Sequence, residues 1–207
     1  MDHPRYKIVA RLDAGGMAEV FRGVSESTVG GIKRAVAIKR ILPNLAKNKR
    51  FVQMFLDEAR LALHLQHTNI VLVYDVGSSE TGDDTAYFLV MEYVEGSNLK
   101  LLMAEQDPVL GENLAQILID MAVALEHLHD HGFMHLDFKP ENVLLTRNGS
   151  LRLIDFDLAQ PIPNPPRKLD KNPGTPAYMA PEQLLRQPVD HRADIWAYGV
   201  AAYELVT

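Results

Sequence analysis

The 207-residue sequence contains no cysteine. That absence excludes disulfide bridges, thiolate metal sites and a cysteine nucleophile, although it does not identify a cellular compartment. No run comes near the roughly 18 consecutive apolar residues of a membrane-spanning helix, and the N-terminus lacks a basic start followed by an apolar block. We therefore expect a soluble, cytoplasmic protein with no membrane segment in this chain.

Positive charge is also in short supply. The formal net charge is −6, whereas a surface that binds nucleic acid needs a basic patch to neutralise phosphates, so we expect no nucleic-acid partner. Hydrophobic residues make up 47% of the chain. This content excludes a disordered chain and allows a core in one large domain or two closely packed lobes.

Hydroxyl side chains are missing from one stretch, because no Ser, Thr or Tyr lies between Asp157 and Gly174. The same stretch contains a proline cluster at residues 161–166, which predicts an extended loop. The cluster also fits a Pro-x-x-Pro docking ligand, but a stiffened surface loop is the simpler interpretation and the one we favour.

The N-terminal half alternates short apolar segments with polar turns, a pattern that predicts strands. We expect strands at residues 8–12, 20–24, 35–40, 70–76 and 86–94, the first three antiparallel, and an amphipathic helix at residues 49–66. The composition becomes helical from about residue 99 onward. We therefore divide the chain into domains at residues 1–94 and 95–207.

The second domain carries its own helix and turn signals. Apolar residues at helical spacing predict a helix at residues 113–131, with Gly132 as its stop. Residues 143–145 and 151–154, joined through Asn148-Gly149, predict a hairpin.

Two charged side chains are predicted to lie on buried faces. The period of two in the third strand places Lys39 on one face with Ala35 and Ala37. Glu58 falls within the apolar stripe of the helix at residues 49–66. Since a buried charge is costly without a partner, we expect Lys39 and Glu58 to form an ion pair. These two residues alone do not distinguish a structural pair from a catalytic one.

Five motifs follow one another along the chain. They are VAIK at residues 36–39, HLDFKPEN at 135–142, DFD at 155–157, APE at 180–182 and DIWAYG at 194–199. In this order, and around a hairpin, they resemble the protein kinase family. The resemblance covers nearly the whole chain. The phrases GGM at 15–17 and GTPAYM at 174–179 are similar to those of bacterial serine/threonine kinases.

The resemblance implies a two-lobed α+β fold. A small antiparallel sheet with a helix would form the N-lobe, a mostly helical region would form the C-lobe, and ATP would bind in the cleft with Mg²⁺, or with Mn²⁺ in its place. The chain would end inside the central helix of the C-lobe, so we expect an incomplete C-lobe. The implied reaction transfers the γ-phosphoryl group of ATP to Ser or Thr hydroxyl groups of a protein substrate.

The resemblance also implies how the nucleotide is held. Lys39 would hold the α- and β-phosphates, and Glu58 would orient Lys39. Met91 would be the gatekeeper, and the backbone of residues 92–94 would meet the adenine. The remaining expected nucleotide contacts are Leu12, Gly15, Gly16, Val20, Ala37, Glu92, Val94 and Leu144.

Catalytic roles are implied for five residues. Asp137 would accept the proton of the attacking hydroxyl group, and Lys139 would stabilise the transferred phosphoryl group. Asn142 and Asp155 would be the metal ligands, since Mg²⁺ prefers hard oxygen donors. Lys139 together with Thr175 is typical of serine/threonine rather than tyrosine kinases.

The sequence departs from the family pattern in three places. Asp13 and Ala18 stand where the Gly-rich loop usually has its first and third glycines, which predicts weaker ATP affinity. Asp157 replaces the glycine of the metal-binding triplet and reduces backbone freedom there. Leu136 replaces the arginine that receives a phosphate in many relatives. With no hydroxyl between Asp157 and Gly174, activity should not need phosphorylation of that stretch.

Two other classes of function stay open on the sequence alone. A pseudokinase that only binds nucleotide or partners is favoured by the changes in the Gly-rich loop and by Asp157, whereas the retained catalytic residues argue against it. A structural fragment without activity would follow from an incomplete C-lobe.

Two further sets of residues need an interpretation. His127, His129, His131 and His135 are dense enough for a metal site, but a spacing of two residues on a helix does not converge on one ion, so we expect no zinc. Asp194 could be a surface charge at a helix start. The resemblance instead makes Asp194 a buried brace for the catalytic loop, and we favour the brace.

Overall fold

The computed structural model describes residues 5–26, 31–81, 84–169 and 173–207. The chain divides into two compact units. Unit 1 comprises Met1–His64 and Leu72–Val94, and unit 2 comprises Leu65–Val71 and Glu95–Thr207. The expected α+β fold is confirmed, with an antiparallel sheet in the first unit and most of the helices in the second.

Unit 1 is built on a five-stranded antiparallel sheet. Its elements are β1 (Tyr6–Ala14), β2 (Ala18–Glu26), β3 (Lys33–Ile41), α1 (Pro43–Ala46), α2 (Lys49–His64), β4 (Val73–Thr81) and β5 (Asp84–Glu92). The strand order in the sheet is β1-β2-β3-β5-β4. All five predicted strands and the predicted helix therefore occur, with shifted ends.

Alternation along the strands places the core of unit 1 on one face of the sheet. Val36 and Ile38 point to this face, opposite to their neighbours Ala37 and Lys39. The core cluster consists of Tyr6, Phe21, Val36, Ile38, Phe88 and Val90. Burial of each large apolar side chain contributes about 1.5–3 kcal/mol relative to exposure, so this cluster holds β1, β2, β3 and β5 together.

The predicted strand at residues 70–76 is wrong at its start, because β4 begins at Val73. Residues before it pair elsewhere: the Val71 amide donates to the Leu153 carbonyl oxygen at 3.0 Å, and the Leu153 amide donates to Asn69 at 2.7 Å. These bonds account for the grouping of Leu65–Val71 with unit 2, whereas the sequence had placed this segment in the first domain.

Unit 2 combines helices with two small sheets. Its elements are β6 (Gly96–Asn98), α3 (Leu99–Ala104), α4 (Pro108–Asp130), β7 (Phe133–Met134), β8 (Val143–Thr146), β9 (Leu151–Leu153), β10 (Gln160–Pro161), α5 (Pro181–Leu184) and α6 (Arg192–Val206). One sheet has the order β6-β8-β9 and the other pairs β10 with β7. The predicted hairpin is β8 and β9, with Gly149 at φ 80° in its turn.

Helix α4 forms the centre of unit 2. It begins at Pro108 rather than at residue 113, because the Asp107 side chain caps it by accepting from the Val109 amide at 2.9 Å. Proline suits this first turn because its missing N–H has no acceptor there in any helix. Gly132, at φ 79°, follows the helix end as expected. The buried residues of α4 are Leu110, Ile117, Met121, Ala124, Leu125 and Leu128.

Within the described ranges, α4 is the one helix whose length and composition would suffice to cross a membrane. The core helix of a soluble protein meets the same criterion, so this is weak evidence of a membrane span. The face of α4 that carries Ile117, Met121 and Leu128 is fully buried inside unit 2.

Candidate active site

Lys39 and Glu58 form the predicted ion pair in unit 1. Strand β3 supplies the lysine and α2 supplies the glutamate, and the Nζ to Oε1 distance is 2.8 Å. The two side chains are 8% and 4% exposed. A charge-assisted hydrogen bond in such a buried setting fixes the direction of the ammonium group.

The register of the sheet brings the predicted adenine contacts beside Lys39. Val20 lies opposite Lys39, and Ala37 lies opposite Met91. Opposite residues share a face of an antiparallel pair, as do residues two apart on one strand. These four side chains therefore lie on one face, where small and apolar groups surround a single ammonium group. This arrangement suits a flat base next to phosphates.

The Gly-rich turn between β1 and β2 is closed by its own backbone. The Gly15 amide donates to the Ala18 carbonyl oxygen at 2.9 Å. The Asp13 side chain accepts from the Ala14 amide at 2.8 Å, which holds its carboxylate at the loop. The negative charge predicted to weaken phosphate binding is therefore a fixed part of this turn.

The other predicted nucleotide contacts fall in both units. Leu12, Gly16, Glu92 and Val94 belong to unit 1, and Leu144 belongs to β8 of unit 2. Glu92 is the last residue of β5, and its amide donates to the Leu72 carbonyl oxygen at 2.8 Å. The predicted hinge, residues 92–94, thus begins inside a strand. The assignment of these residues to a nucleotide stays a prediction.

Asp194 braces the predicted catalytic loop, the HLDFKPEN stretch at residues 135–142, as the sequence favours. Its carboxylate accepts from the backbone amides of His135 at 2.7 Å and Leu136 at 2.8 Å, and it bonds His129 Nε2 at 2.8 Å. The residue is 1% exposed. A buried carboxylate needs such donors, so three groups around one carboxylate fix the backbone just before Asp137.

Sequence reasoning missed the role of His129 because it weighed this residue only as a metal ligand. The available signal was its place in the last turn of the helix that leads directly into the HLDFKPEN stretch. A side chain there is well placed to reach the loop that follows.

Three polar side chains of unit 2 converge at the predicted catalytic loop, residues 135–142. One carboxylate oxygen of Asp137 accepts from the Thr175 hydroxyl at 2.7 Å, and the other lies 2.7 Å from Lys139 Nζ. Lys139 Nζ also donates to the Thr175 hydroxyl oxygen at 2.9 Å. The predicted trio of Asp137, Lys139 and Thr175 is therefore brought together, in a cluster that is largely but not fully buried.

Asn142 joins this cluster to the predicted metal ligand Asp155. Its side-chain Nδ2 donates to the backbone carbonyl oxygen of Asp137 at 2.9 Å. The backbone carbonyl oxygen of Asn142 accepts from the Ile154 amide at 2.9 Å. Because Nδ2 is used as a donor, the amide oxygen is the atom of Asn142 suited to a cation. Asp155 directly follows Ile154. This donor set of amide and carboxylate oxygens fits Mg²⁺.

The structure changes the expectation about Asp157. The described residues other than glycine with positive φ are Gln106, Leu136, Asp155 and Arg186. A left-handed backbone costs an L-residue roughly 1–2 kcal/mol. The strain of the site therefore lies at Leu136 (φ 64°) and Asp155 (φ 65°), and Asp157 does not need the freedom of a glycine.

His135 is fully buried beside Asp137, the predicted catalytic aspartate. Burial lowers its pKa, although the nearby carboxylates of Asp194, Asp155 and Asp137 oppose that effect. The imidazole is consequently neutral near pH 7, and its Nδ1 accepts from the Asp137 amide at 3.3 Å. The centroid of its ring also lies 5.3 Å from the centroid of the Phe156 ring.

Two of the four clustered histidines have separate hydrogen-bond partners, and the other two lie against each other. His129 bonds Asp194 and His135 supports Asp137, whereas His127 stacks on His67 at 4.8 Å and lies 4.3 Å from His131. Partial burial lowers the pKa of His127, and His131 and His67 lower it further. His129 and His135 are thus engaged with Asp194 and Asp137, and the expectation that these histidines bind no zinc stays a prediction.

Known proteins with similar sequences are also protein kinases. The protein kinase domain family matches residues 6–207 of the chain. The probable serine/threonine-protein kinase PknB of Corynebacterium glutamicum is 35% identical over 206 residues, which cover 98% of this chain and 31% of that protein. A probable serine/threonine-protein kinase of Streptomyces coelicolor is 36% identical, with 98% and 30% covered.

A third relative carries a different name. The tyrosine-protein kinase MasK of Myxococcus xanthus is 37% identical over 217 residues, covering 98% of this chain and 32% of the relative. The chain therefore spans about a third of the length of these curated relatives. The match over residues 6–207 agrees with the motif order and with the two clusters described above. This chain belongs to the protein kinase domain family.

Proposed function

We propose that the protein containing this chain is an ATP-dependent serine/threonine protein kinase. The observation that carries the proposal is the Asp137 carboxylate held between Lys139 and Thr175, at 2.7 Å from each. Phosphoryl transfer needs positioning and charge neutralisation more than covalent chemistry, and this cluster supplies both.

Each residue of the cluster has a task. Asp137 accepts the hydrogen bond of the substrate hydroxyl group and takes its proton as the oxygen attacks. Lys139, next to Asp137, places a positive charge where negative charge develops. Thr175 holds the Asp137 carboxylate in one orientation, so that the hydroxyl group meets a fixed acceptor.

The nucleotide and metal requirements follow from the family. When bound, ATP with a divalent cation supplies the phosphoryl group and the charge that neutralises it. Asn142 and Asp155 would hold Mg²⁺, or Mn²⁺ in its place, through hard oxygen atoms. Lys39, kept in direction by Glu58, would hold the phosphates at the apolar face formed by Val20, Ala37 and Met91.

The choice of Ser and Thr over Tyr as acceptor rests on Lys139 and Thr175. This pair is typical of serine/threonine kinases, and in the structure Lys139 Nζ donates to the Thr175 hydroxyl oxygen at 2.9 Å. One relative is named a tyrosine-protein kinase, so the acceptor must be measured. Phosphoamino acid analysis of the labelled products should give phosphoserine or phosphothreonine. Phosphotyrosine alone would contradict this choice.

The test of the activity is transfer of label from γ-labelled ATP to a generic protein substrate by the full-length protein. Asp137→Asn should reduce transfer by about 10²–10⁴-fold. Asp130→Asn, which removes an exposed carboxylate at the end of α4, should leave transfer unchanged. Tight ATP binding without any transfer by the parent protein would replace the proposal with a nucleotide-binding pseudokinase, which the changes in the Gly-rich loop favour.

A further inference from the structure

The proline-rich segment that follows the metal-binding triplet packs against the catalytic loop. A buried apolar cluster in unit 2 contains Met134, Leu136, Ala180, Val189 and Ala193, and Ile162 and Leu169 pack on it. We call this cluster, together with Ile162 and Leu169, the apolar seat. One of its buried members, Leu136, is 5% exposed and directly precedes Asp137.

The backbone of the same segment is fixed on both sides of the prolines. Gln160 pairs with Met134 in the β10-β7 ladder, and the Ile162 amide donates to the Gly132 carbonyl oxygen at 2.7 Å. Further on, the Val189 amide donates to the Arg167 carbonyl oxygen at 3.0 Å. Residues 160–169 are thus anchored at two ends, with Ile162 and Leu169 directed into the unit at those ends.

Leu136 occupies a strained conformation that its surroundings must hold. Its φ of 64° is costly for a leucine, and Asp194 accepts from its amide at 2.8 Å. The Leu136 carbonyl oxygen lies so close to Gly174 that a Cβ at Gly174 would clash with it. Leu136 is therefore bonded to Asp137 along the chain and lies against Gly174, the residue before Thr175.

Building on the proposed kinase function, we propose that Ile162 and Leu169 are positioning residues, which act through Leu136 to set Asp137 and Thr175 in their catalytic geometry. The segment carries no hydroxyl group between Asp157 and Gly174 and Leu136 offers no donor to a phosphate, so apolar packing is the means by which these residues hold the loop. A shift of about 1 Å in such a site is enough to cost up to a hundredfold in rate.

The segment provides its own reporter for an experiment on the full-length protein. Arg167 and Lys168 are exposed, so trypsin can cleave after either residue when the segment leaves the seat. Ile162→Ser should speed this cleavage about tenfold, lower kcat about tenfold and leave the KM for ATP within about twofold. Ile162→Val keeps an apolar branch and should retain both parent values.

Asn164→Ser is the matched control, because Asn164 is exposed on the same segment and the variant keeps both cleavage sites. It should match the parent protein in cleavage and in kcat. The inference is overturned if Ile162→Ser is cleaved no faster than the parent, if Asn164→Ser has the same effect, or if Ile162→Val loses as much as Ile162→Ser. The cleavage rates do not depend on activity. A parent protein that transfers no phosphoryl group would therefore contradict the proposed function, while the cleavage rates would still show whether Ile162 holds the segment on the apolar seat.

Discussion

Units 1 and 2 each pair a lysine with a carboxylate, but they surround the pair differently. Lys39 and Glu58 come from a strand and a helix and are less than one-tenth exposed. Lys139 and Asp137 are two residues apart in one loop, are 20% and 12% exposed, and share a third partner in Thr175. The first pair should therefore matter for stability, because removing one member takes a counter-charge from a buried group, and the second mainly for the reaction.

The largest effect is expected from breaking the buried pair. Glu58→Met should lower the free energy of unfolding by about 3–5 kcal/mol, because the buried Lys39 ammonium loses the Glu58 carboxylate at 2.8 Å. The double variant Lys39→Met and Glu58→Met should recover most of that loss. Urea unfolding of the three proteins measures both values. A double variant as unstable as Glu58→Met would contradict the assignment of the cost to the broken charge pair.

Lys139→Met tests the partly exposed pair of unit 2. We expect kcat to fall by about 10²–10³-fold, since a positive charge next to the reacting oxygen is lost. The free energy of unfolding should change by no more than about 1 kcal/mol, as for a partly exposed ion pair. Steady-state kinetics and urea unfolding give the two values. A loss of stability as large as that of Glu58→Met would remove the distinction between the units.

A smaller effect is expected in the Gly-rich turn of unit 1. Asp13→Asn removes a carboxylate held at the loop and should tighten ATP binding about fivefold, which corresponds to about 1 kcal/mol for like charges 4 Å apart in water. Asp57→Asn removes an exposed carboxylate from α2 and serves as the charge control. Nucleotide titrations at low and high salt give the affinities. Equal ATP affinity of Asp13→Asn and the parent would show that the carboxylate does not oppose the phosphates.

The smallest effect concerns pH and unit 2. The pKa of His127 is lowered in the folded state, so the unfolded chain binds more protons as the pH falls below about 6.5. Its contribution to stability is therefore present above that pH and is lost as the pH falls through the lowered value. His127→Gln should reduce the fall in melting temperature between pH 7.5 and 5.5, whereas His64→Gln, at an exposed site on α2, should not. Parallel pH profiles for His127→Gln and the parent would contradict this role.

Much of the site could be predicted from local sequence. The period of two in β3 and the apolar stripe of α2 predict the contact between Lys39 and Glu58, because each pattern shows which face of its element is buried. Motif order placed Asp137, Lys139 and Thr175 in one site. The apolar periodicity begins only at residue 113, whereas Asp107 and Pro108, which are ordinary signals for a helix N-terminus, mark the true start of α4.

Other features gave no local signal. Strands β6, β7 and β10 are two or three residues long, too short to show any period. The stack of His67 on His127 joins residues 60 positions apart. The left-handed backbone of Leu136 is unexpected for a branched side chain and follows from bonds to Asp194 and packing against Gly174.

The sequence by itself determined the elements of this protein, the faces they bury and the residue types available for phosphoryl transfer, because these depend on backbone periodicity and side-chain chemistry. Tertiary structure decided which of those residues meet. It joined Leu65–Val71 to unit 2, made Asp194 the acceptor for three donors and packed Ile162 and Leu169 on the buried cluster that contains Leu136. Contacts of this kind depend on how distant segments pair and pack, and no short stretch of sequence specifies that.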